Sequence, residues 1–582
     1  DDAEGGLMLG SRETALAVTD SGEPAILPGD ASHSELLARV TSTDEFLRMP
    51  PEGDRLKPEE IEILRNWIDG GAAWQEHWAF VPPTVPEPPA TQTVGEPTIR
   101  NEIDSFVQAR LEAVALTPNP PADKATLLRR LTFDLTGLPP TPEETDAFLA
   151  DDDPRAYERA VDRLLDSPRY GEKWARHWLD LVRYAETNSY ERDGNKPNAW
   201  RYRDYVIRSL NDDKPYDQFL IEQLAGDELA AESPERRAEL LTATGFYRLG
   251  IWDDEPADPQ QAVYDELDDT VRTVAEGVLG LTVGCARCHD HKLDPIPQKD
   301  YYQMVAVFRD VTPFDNRGRN SGNTQAEITP PRVAAAHEAL DDEFARWDAE
   351  KREIEQRGIV KMSAPDQRAT EGPRRQRDRV LKRELKKHLS ADEWEAYQSV
   401  KERLADVLAR RRALPPRTQT LAVAKTHAPD RIPETFVLAR GSAQGATGEP
   451  LDPGVPALFE TENFAPAKIE NGAGRRHAFA RWATDPDNRL TARVAVNRVW
   501  QHHFGRGLVR SSNNFGKLGT PPTHPELLNW LADRFVAEGW SLKRLHKLIV
   551  ASAAYRRSSG PNPAAAAADP LNDLFWRFDP RR

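Results

Sequence analysis

The feature that most restricts the fold is helical periodicity between residues 101 and 313. Segments such as IDSFVQARLEAVAL, DKATLLRRLTFDLTGL and EKWARHWLDLVRYAE place apolar residues three and four positions apart, and short Pro or Gly breaks separate them. That spacing puts the apolar side chains on one face of each helix, where they can pack against a neighbouring helix. We therefore predict a compact helical domain over residues 101–313 and a mainly α, multidomain fold for the chain.

The regions before this domain differ from it in composition. Residues 1–78 close with an amphipathic segment that opens at Pro58 and stops at Gly70, which predicts the last helix of a small domain. Residues 79–100 are rich in proline and poor in apolar side chains. We expect them to form an extended, semi-rigid linker.

The regions after the helical domain differ in another way. Residues 314–415 combine dense mixed charges with sparse apolar positions, which predicts an exposed helical hairpin or a short coiled coil that acts as a spacer. Residues 416–582 begin with β-branched alternation in TQTLAVAKT and ETFVLARGS and return to helical patterns from His477. We predict an α/β-mixed C-terminal region with a small β portion.

Size and charge exclude several classes of protein. A chain of 582 residues exceeds what one hydrophobic core usually serves, so several domains are expected. The formal net charge of −18 repels phosphate backbones and argues against a nucleic-acid partner. No window approaches the roughly 20 continuous apolar residues of a membrane helix, so we expect no transmembrane segment in this chain.

Cysteine occurs only twice, at Cys285 and Cys288, and His289 follows at once. Cys-x-x-Cys-His (CxxCH) is the pattern of covalent c-type haem attachment, because the two thiols add to two vinyl groups on one edge of the porphyrin. The adjacent histidine is then held under the iron. The sequence therefore predicts one haem c, bound through Cys285 and Cys288, with His289 as the proximal iron ligand.

Three other interpretations of the motif stay open. Zinc bound by Cys285, Cys288 and His291 needs a fourth ligand, and no second CxxC or H-x-x-x-H is present to supply it. A dithiol redox pair belongs between a strand and a helix of a βαβ unit, which the surroundings do not resemble. A chance match in a reduced core is the third.

The haem interpretation also predicts the compartment in which the protein is located. Thioether bonds to haem are made on the outer side of the cytoplasmic membrane, so the haem interpretation predicts a periplasmic or extracellular protein. The low cysteine count agrees with it, since no thiol beyond the two haem thiols is left to mispair in an oxidising compartment.

Longer motifs resemble a known family. SPRYGEKWARHWLDLVRYAETNSYERD and YDELDDTVRTVAEGVLGLTVGCARCHDHKLDPIPQKDYY, together with LTARVAVNRVWQHHFGRGLVRSSNNFGKLG, are similar to the planctomycetal secreted cytochrome-type proteins. In these, a small cytochrome-c-like domain precedes the domains of unknown function numbered 1549 and 1553. PGDASHSELLARV, MPPEG and WIDGGAAW resemble the small domain. The resemblance implies haem binding, export and electron transfer, and it supplies no reaction.

The resemblance also implies a second haem. The family's small domain carries its own CxxCH, which residues 1–78 lack, so we expect that motif upstream and take the chain as an internal portion of a longer exported protein whose last domain is truncated. Met49 stands at the position expected for the distal ligand of that N-terminal haem. It would bind iron only if the upstream motif is present, in the Met/His pairing of cytochromes c.

Further candidate residues surround the predicted haem chemistry. Met304, His177 and His503 are candidates for the distal ligand of the iron at His289. Arg201 and Arg203 lie in the polar stretch ETNSYERDGNKPNAWRYRD, and their planar guanidinium groups suit haem propionates.

We therefore predict an exported c-type haem protein that transfers electrons to an unidentified redox partner. One alternative is an oxidoreductase that uses the haem or a polar cleft on an extracellular substrate such as a carbohydrate, with a carbohydrate or cell-surface partner. A second is a structural scaffold with zinc at the CxxCH motif. No hydrolase or nucleotide-binding motif is present to support other enzyme classes.

Overall fold

The structure is a computed structural model, and it describes residues 6–9, 12–74, 77–90, 99–191, 193–253, 255–312, 325–423, 427–459, 474–488 and 490–580. The described residues are mainly α-helical, as predicted, with two small two-stranded sheets. Within them, no helix combines the length and the apolar character that crossing a membrane requires.

The N-terminal segment has a small core of its own. Its helices are α1 (Arg12–Ala15), α2 (Glu35–Thr41) and α3 (Pro58–Asp69). Proline fits the first turn of a helix because the backbone N–H that it lacks would have no partner there, and α3 begins at Pro58 as predicted. Leu36, Leu37 and Ile68 are buried against one another in this core.

The central segment is a succession of helices, as the periodicity predicts. These are α4 (Glu102–Ala113), α5 (Lys124–Thr136), α6 (Pro142–Ala150), α7 (Ala156–Leu165), α8 (Pro168–Leu181), α9 (Ala199–Asn211), α10 (Tyr216–Ala225), α11 (Pro234–Ala243), α12 (Pro259–Val274) and α13 (Gln298–Val307). The start of α6 shows how local sequence sets a boundary. Glu144 N–H donates to the Thr141 hydroxyl and Thr141 N–H donates to the Glu144 carboxylate, so two amides at the helix start are satisfied.

The charged segment forms a helical hairpin with a core of its own. Its helices are α14 (Pro331–Ile359), α15 (Ala364–Glu371), α16 (Arg374–His388) and α17 (Ala391–Ala413). The two long helices are antiparallel, because Arg411 near the end of α17 pairs with Asp341 early in α14, while Arg357 late in α14 pairs with Glu393 at the start of α17. Leu385 and Val400 are buried in this core.

Two strands join the ends of the hairpin to each other. Strand β1 (Gln325–Glu327) pairs antiparallel with β2 (Gln419–Leu421), with Ala326 opposite Thr420. Strand β3 (Val437–Leu438) pairs antiparallel with β4 (Ala446–Thr447). The strands β2 and β3 lie in the two stretches predicted to be β, and residues 424–426 of the first stretch lie outside the described residues.

The C-terminal segment returns to helices. These are α18 (Arg475–Ala483), α19 (Thr491–Phe504), α20 (Pro525–Ala537), α21 (Leu542–Ala551), α22 (Ala553–Arg556) and α23 (Pro563–Ala568). One continuous hydrophobic core contains side chains from both the central and the C-terminal segments, for example Phe308 against Phe479 with ring centroids 5.5 Å apart. Ala79 and Phe80, at the start of the predicted linker, are also buried in this core. The domain boundaries stay a prediction.

Candidate functional site

The two cysteines lie in the CxxCH loop, which we define as residues 281–297, between a π-helical turn (Ala275–Leu279) and α13. A short 3₁₀ helix (Gly284–Arg287) carries Cys285, and Cys288 follows as its C-terminal residue. The backbone N–H of Cys288 donates to the carbonyl of Cys285 at 3.2 Å. Both thiols are free and exposed, so both are accessible for a covalent attachment.

His289 is exposed, and its ring is held by the next residue. Its Nδ1 lies 2.7 Å from the backbone carbonyl oxygen of Asp290, which only accepts hydrogen bonds, so Nδ1 carries the proton. In the neutral ring, Nε2 is then the acceptor nitrogen, and it has no hydrogen-bond partner in the described part of the chain. Metal-binding histidines commonly have this arrangement, in which the second nitrogen donates to a backbone carbonyl.

Arg287 holds the CxxCH loop in place through its side chain and its backbone carbonyl. Its guanidinium contacts Asp265, and its Nη1 lies 3.2 Å from Oδ2 of Asp268. Burial lowers the pKa of Arg287, but the contacts with these carboxylates outweigh that effect and raise it. The backbone carbonyl of Arg287 accepts hydrogen bonds from Gln298 and from the Tyr302 hydroxyl, both at 2.9 Å. The loop therefore has a defined shape.

A glycine from the C-terminal segment closes over the sulfur of Cys288. Gly441 has φ +70, and a Cβ placed there would lie 3.2 Å from Cys288 Sγ and 3.2 Å from Arg287 Cγ. Gln298 Nε2 also donates to the carbonyl of Leu438 at 3.0 Å. The segment 437–447 is thus part of the wall around the CxxCH motif.

The residues fit a haem better than a zinc ion. His291, the third ligand of the zinc interpretation, is buried, and its Nδ1 accepts a hydrogen bond from the backbone N–H of Asp294 at 2.8 Å. Among the described residues, no group of three or more His, Cys, Asp or Glu side chains is placed to hold a metal ion. Two exposed thiols with an oriented imidazole beside them are the set that a covalent haem requires.

The distal candidates lie in different places. Met304 is fully buried within α13, the helix that follows the CxxCH loop. His177 on α8 stacks on His502 with ring centroids 3.6 Å apart, and His503 Nε2 lies 2.7 Å from His546 Nδ1. We call His177, His502, His503 and His546 the histidine cluster. As distal ligands, these candidates stay predictions.

The remaining candidates have ordinary partners. Arg201 lies over the ring of Trp200 at 4.4 Å, and Arg203 pairs with Glu186 and with Asp204. Met49 packs against the N-terminal core, and its backbone N–H donates to Arg39. Contacts of Arg201 and Arg203 with propionates, and of Met49 with an iron, stay predictions.

A cleft of about 860 Å³ adjoins the loop. Asp265 connects the two, because it lines the cleft and its carboxylate contacts Arg287 of the loop. Arg183 lines the cleft and donates to Asp269 at 2.8 Å, and its Nε and Nη1 are buried with no partner in the described part of the chain. Burial raises the pKa of Glu266 in the same wall to about 7, although Arg248 pulls it down. A carboxyl group of this kind can exchange a proton near neutral pH.

Sequence reasoning missed the cleft and the supports of the loop. Asp265 and Glu266 lie 20 and 19 positions before Cys285, and Gly441 lies 153 positions after Cys288. Only the packing of α12 and of segment 437–447 brings them to the loop. Asp265, Glu266, Gln298 and Tyr302 all stand within the quoted family motif, which did not indicate their contacts.

Three family models match the chain. The model described as Planctomycete cytochrome C matches residues 1–53, and two described as Protein of unknown function, DUF1549 and DUF1553, match residues 102–313 and 475–582. No curated protein and no solved structure matches. Cys285, Cys288 and His289 fall inside the second matched segment.

Proposed function

Because the chain belongs to the planctomycetal family that joins a cytochrome-c-like domain to the domains of unknown function numbered 1549 and 1553, we propose that it is an exported protein that binds haem c and transfers electrons. The observation that carries the proposal is the CxxCH loop itself. Its two thiols are exposed on one short helix, and the imidazole that follows them is fixed by Asp290 with Nε2 available.

The chain's own residues have distinct tasks in this proposal. Cys285 and Cys288 would attach the porphyrin, and His289 would bind the iron, whose one-electron chemistry the haem supplies when bound. Asp290 holds the His289 ring in the required tautomer. Arg287, held by Asp265 and Asp268, fixes the backbone between the two attachment points.

The test is expression in a periplasm that contains haem-attachment machinery. We expect a haem-stained band on a denaturing gel and a low-spin spectrum in the oxidised and dithionite-reduced protein. Cys288→Ala should lose the stained band, and His289→Ala should lose the low-spin spectrum. His388→Ala on α16 serves as a control that should keep both. A wild-type protein without covalent haem under these conditions would contradict the proposal.

A second candidate function rests on the shared position of Asp265. In this alternative, the cleft would hold an extracellular substrate such as a carbohydrate, whose oxidation from an alcohol to a carbonyl releases two protons and two electrons. Glu266 would receive one proton and solvent water the other, and the two electrons would leave one at a time through the haem to a partner protein that acts as the oxidant. Addition of mono- and disaccharides to the oxidised holoprotein should then produce the reduced spectrum. Glu266→Gln should slow that reduction, whereas the exposed Glu353→Gln should not. If no sugar reduces the haem, the oxidoreductase alternative is wrong and only the electron-transfer proposal remains.

A further inference from the structure

Helix α16 of the charged hairpin carries a strong positive charge in an acidic chain. It contains eight Lys or Arg residues and two acidic residues, a formal charge of +6, whereas the whole chain has −18. Three of the eight, Arg377, Arg383 and Lys387, form ion pairs with carboxylates of the hairpin. The other five are exposed.

Four of these five exposed cations lie in a line along the helix. We define the basic row as Arg375, Arg379, Lys382 and Lys386. Their spacing of four, three and four positions places them on one face of the helix, roughly 16 Å from end to end. None of the four forms an ion pair within the part of the hairpin that the structure describes. The buried side of α16, formed by Val380, Leu381 and Leu385, faces the hairpin core, so the basic row faces solvent.

The stability of the helix does not explain the basic row. Like charges three and four positions apart repel each other, which destabilises a helix. Arg374 and Arg375 also lie at the N-terminal end of α16, where the helix dipole disfavours cations, and the first turn contains no acidic residue. Solubility does not explain the row either, because added positive charges lower the magnitude of the net charge of an acidic chain. These charges are best explained by an anion outside the chain.

The acidic remainder of the chain does not neutralise the basic row. Leu385 of α16 packs against Gly358, close to the end of α14. Gly358 is 27 residues after Pro331, where α14 begins beside strand β1, so it lies about 40 Å along the helix from that point. Salt largely screens exposed charges that are more than about 8 Å apart. An approaching anion therefore meets the positive field of α16 despite the net charge of the chain.

The side chains of α16 restrict the class of partner. The structure describes this helix throughout, and none of its exposed residues is a large apolar one. Stable protein–protein interfaces have an apolar centre, and helices that insert into a membrane surface need an apolar face. A flat bilayer held by charge alone would also cover the exposed Asp378 beside the basic row. These features favour a chain-like polyanion that follows the row.

We propose that the basic row binds a linear acidic polysaccharide with one carboxylate on each sugar unit. Neighbouring cations of the row are about 4.5–6 Å apart along the helix axis, which is comparable to the length of one sugar unit. Successive carboxylates can therefore meet successive cations. Arginine can hold a carboxylate through two parallel hydrogen bonds, and lysine binds it as a compact charge. The choice of a polysaccharide over a nucleic acid rests on the proposed export of the protein.

The test titrates the whole chain, without haem, with polygalacturonate and with its full methyl ester. The two polymers share the sugar chain and differ in charge. We expect polygalacturonate to bind, more weakly as salt is added, and the ester not to bind. Equal binding of both polymers, or no binding of polygalacturonate, would overturn the proposal. Tighter binding of single-stranded DNA, polyglutamate or anionic vesicles would overturn the assignment to a polysaccharide. Because this titration needs no haem, a failure of the haem-attachment test would leave its result unchanged.

Variants separate the basic row from the overall charge. The double variant Arg379→Gln with Lys382→Gln removes the two central cations and should weaken polygalacturonate binding about tenfold. Arg346→Gln with Arg352→Gln is the matched control, because it removes two exposed cations of α14, and it should change the affinity by no more than about twofold. All four positions are exposed, so both proteins should fold, and urea unfolding verifies this. Equal losses in the two variants would show that overall charge determines binding, and the proposal would fail.

Discussion

Glu266 lines the cleft beside the CxxCH loop. The described part of the chain provides its carboxylate with no hydrogen bond and no ion pair. The positive charges of Arg248, Arg183 and Lys196 are near enough to lower its pKa, yet burial raises it to about 7. Burial wins because water hydrates a carboxylate far better than a distant guanidinium group can stabilise it.

Glu266→Gln should therefore change the pH dependence of stability. The folded-state pKa of about 7 exceeds the ordinary value of 4.5, so the folded state binds the proton more tightly than the unfolded chain. The associated stability is fully present below about 4.5 and is lost as the pH rises through about 7.

The glutamine variant keeps a neutral side chain at every pH, so it should match the wild type at pH 4.5 and unfold at higher denaturant concentration at pH 8. Urea unfolding at both pH values measures this. A constant difference between the two proteins across this range would contradict it. The exposed exchange Glu353→Gln controls for the loss of one carboxylate.

Gly441→Ala should reduce haem attachment for a steric reason. The new methyl group would crowd Cys288 Sγ and Arg287 at 3.2 Å, in addition to the cost of φ +70 for a residue with a side chain. Gly448 is a matched control because its φ is +74 and nothing lies within 4 Å of a Cβ placed there. We expect a lower ratio of haem to protein for Gly441→Ala than for Gly448→Ala. Equal ratios would show that Gly441 does not shape the attachment site.

The start of a helix could be predicted from the sequence where a local residue preference determines it. Pro58, predicted to open a helix, is the first residue of α3 in the structure. The CxxCH spacing singled out Cys285, Cys288 and His289, but the exposure of the thiols and the contact of His289 with Asp290 were not predicted from it. The strands β1 and β2 could not be paired from sequence, because their partners are 94 residues apart at Ala326 and Thr420 and periodicity carries no information about such contacts.

Leu385→Ala should loosen the charged hairpin alone. Leu385 is completely buried in a hydrophobic cluster formed by hairpin residues only, so the substitution leaves a cavity there. Such a change costs about 2–5 kcal/mol. Hydrogen exchange should become faster in α14, α16 and α17, while α8 and α19 keep their protection. Leu408→Ala on α17 is the control, since Leu408 is 36% exposed. Faster exchange throughout the molecule would show that the hairpin is not independent of the main core.

At the scale of the whole molecule, one buried arginine joins the central and C-terminal segments. Arg476 at the start of α18 is completely buried. It bonds both carboxylate oxygens of Asp227 at 2.7 Å and reaches Asp310 at 3.0 Å. Glu228 is 3.2 Å from the same guanidinium, and burial raises the pKa of this carboxyl to about 7. A single guanidinium group thus contacts three carboxyl groups of the other segment.

Arg476→Met should destabilise the whole fold. The substitution keeps the volume but leaves Asp227 and Asp310 buried without their cation, a loss of about 3–5 kcal/mol. Arg481→Met lies on the same helix at an exposed position and should stay within about 0.5 kcal/mol of the wild type. Thermal unfolding measures both. A small effect of Arg476→Met would mean that the ion pairs of Arg476 contribute little to holding the two segments together.

The sequence could not reveal how closely these segments associate. Their helical patterns are separable, and the hairpin between them suggests two independent units. Asp104 near the start of α4 nevertheless accepts from the backbone N–H groups of Ala553 and Ala554 at the start of α22. Such contacts depend on the complete three-dimensional arrangement, and no local pattern encodes them.

The pairing of β1 with β2 also bears on how this chain can vary. Ile328 N–H donates to the Thr418 carbonyl at 2.8 Å, so the chain leaves the main core and returns to it at nearly the same point. A segment attached in this way can lengthen, shorten or be exchanged for a tight turn without changing the path of the chain elsewhere. The hairpin is thus a natural place for grafting a reporter domain and for divergence among related proteins.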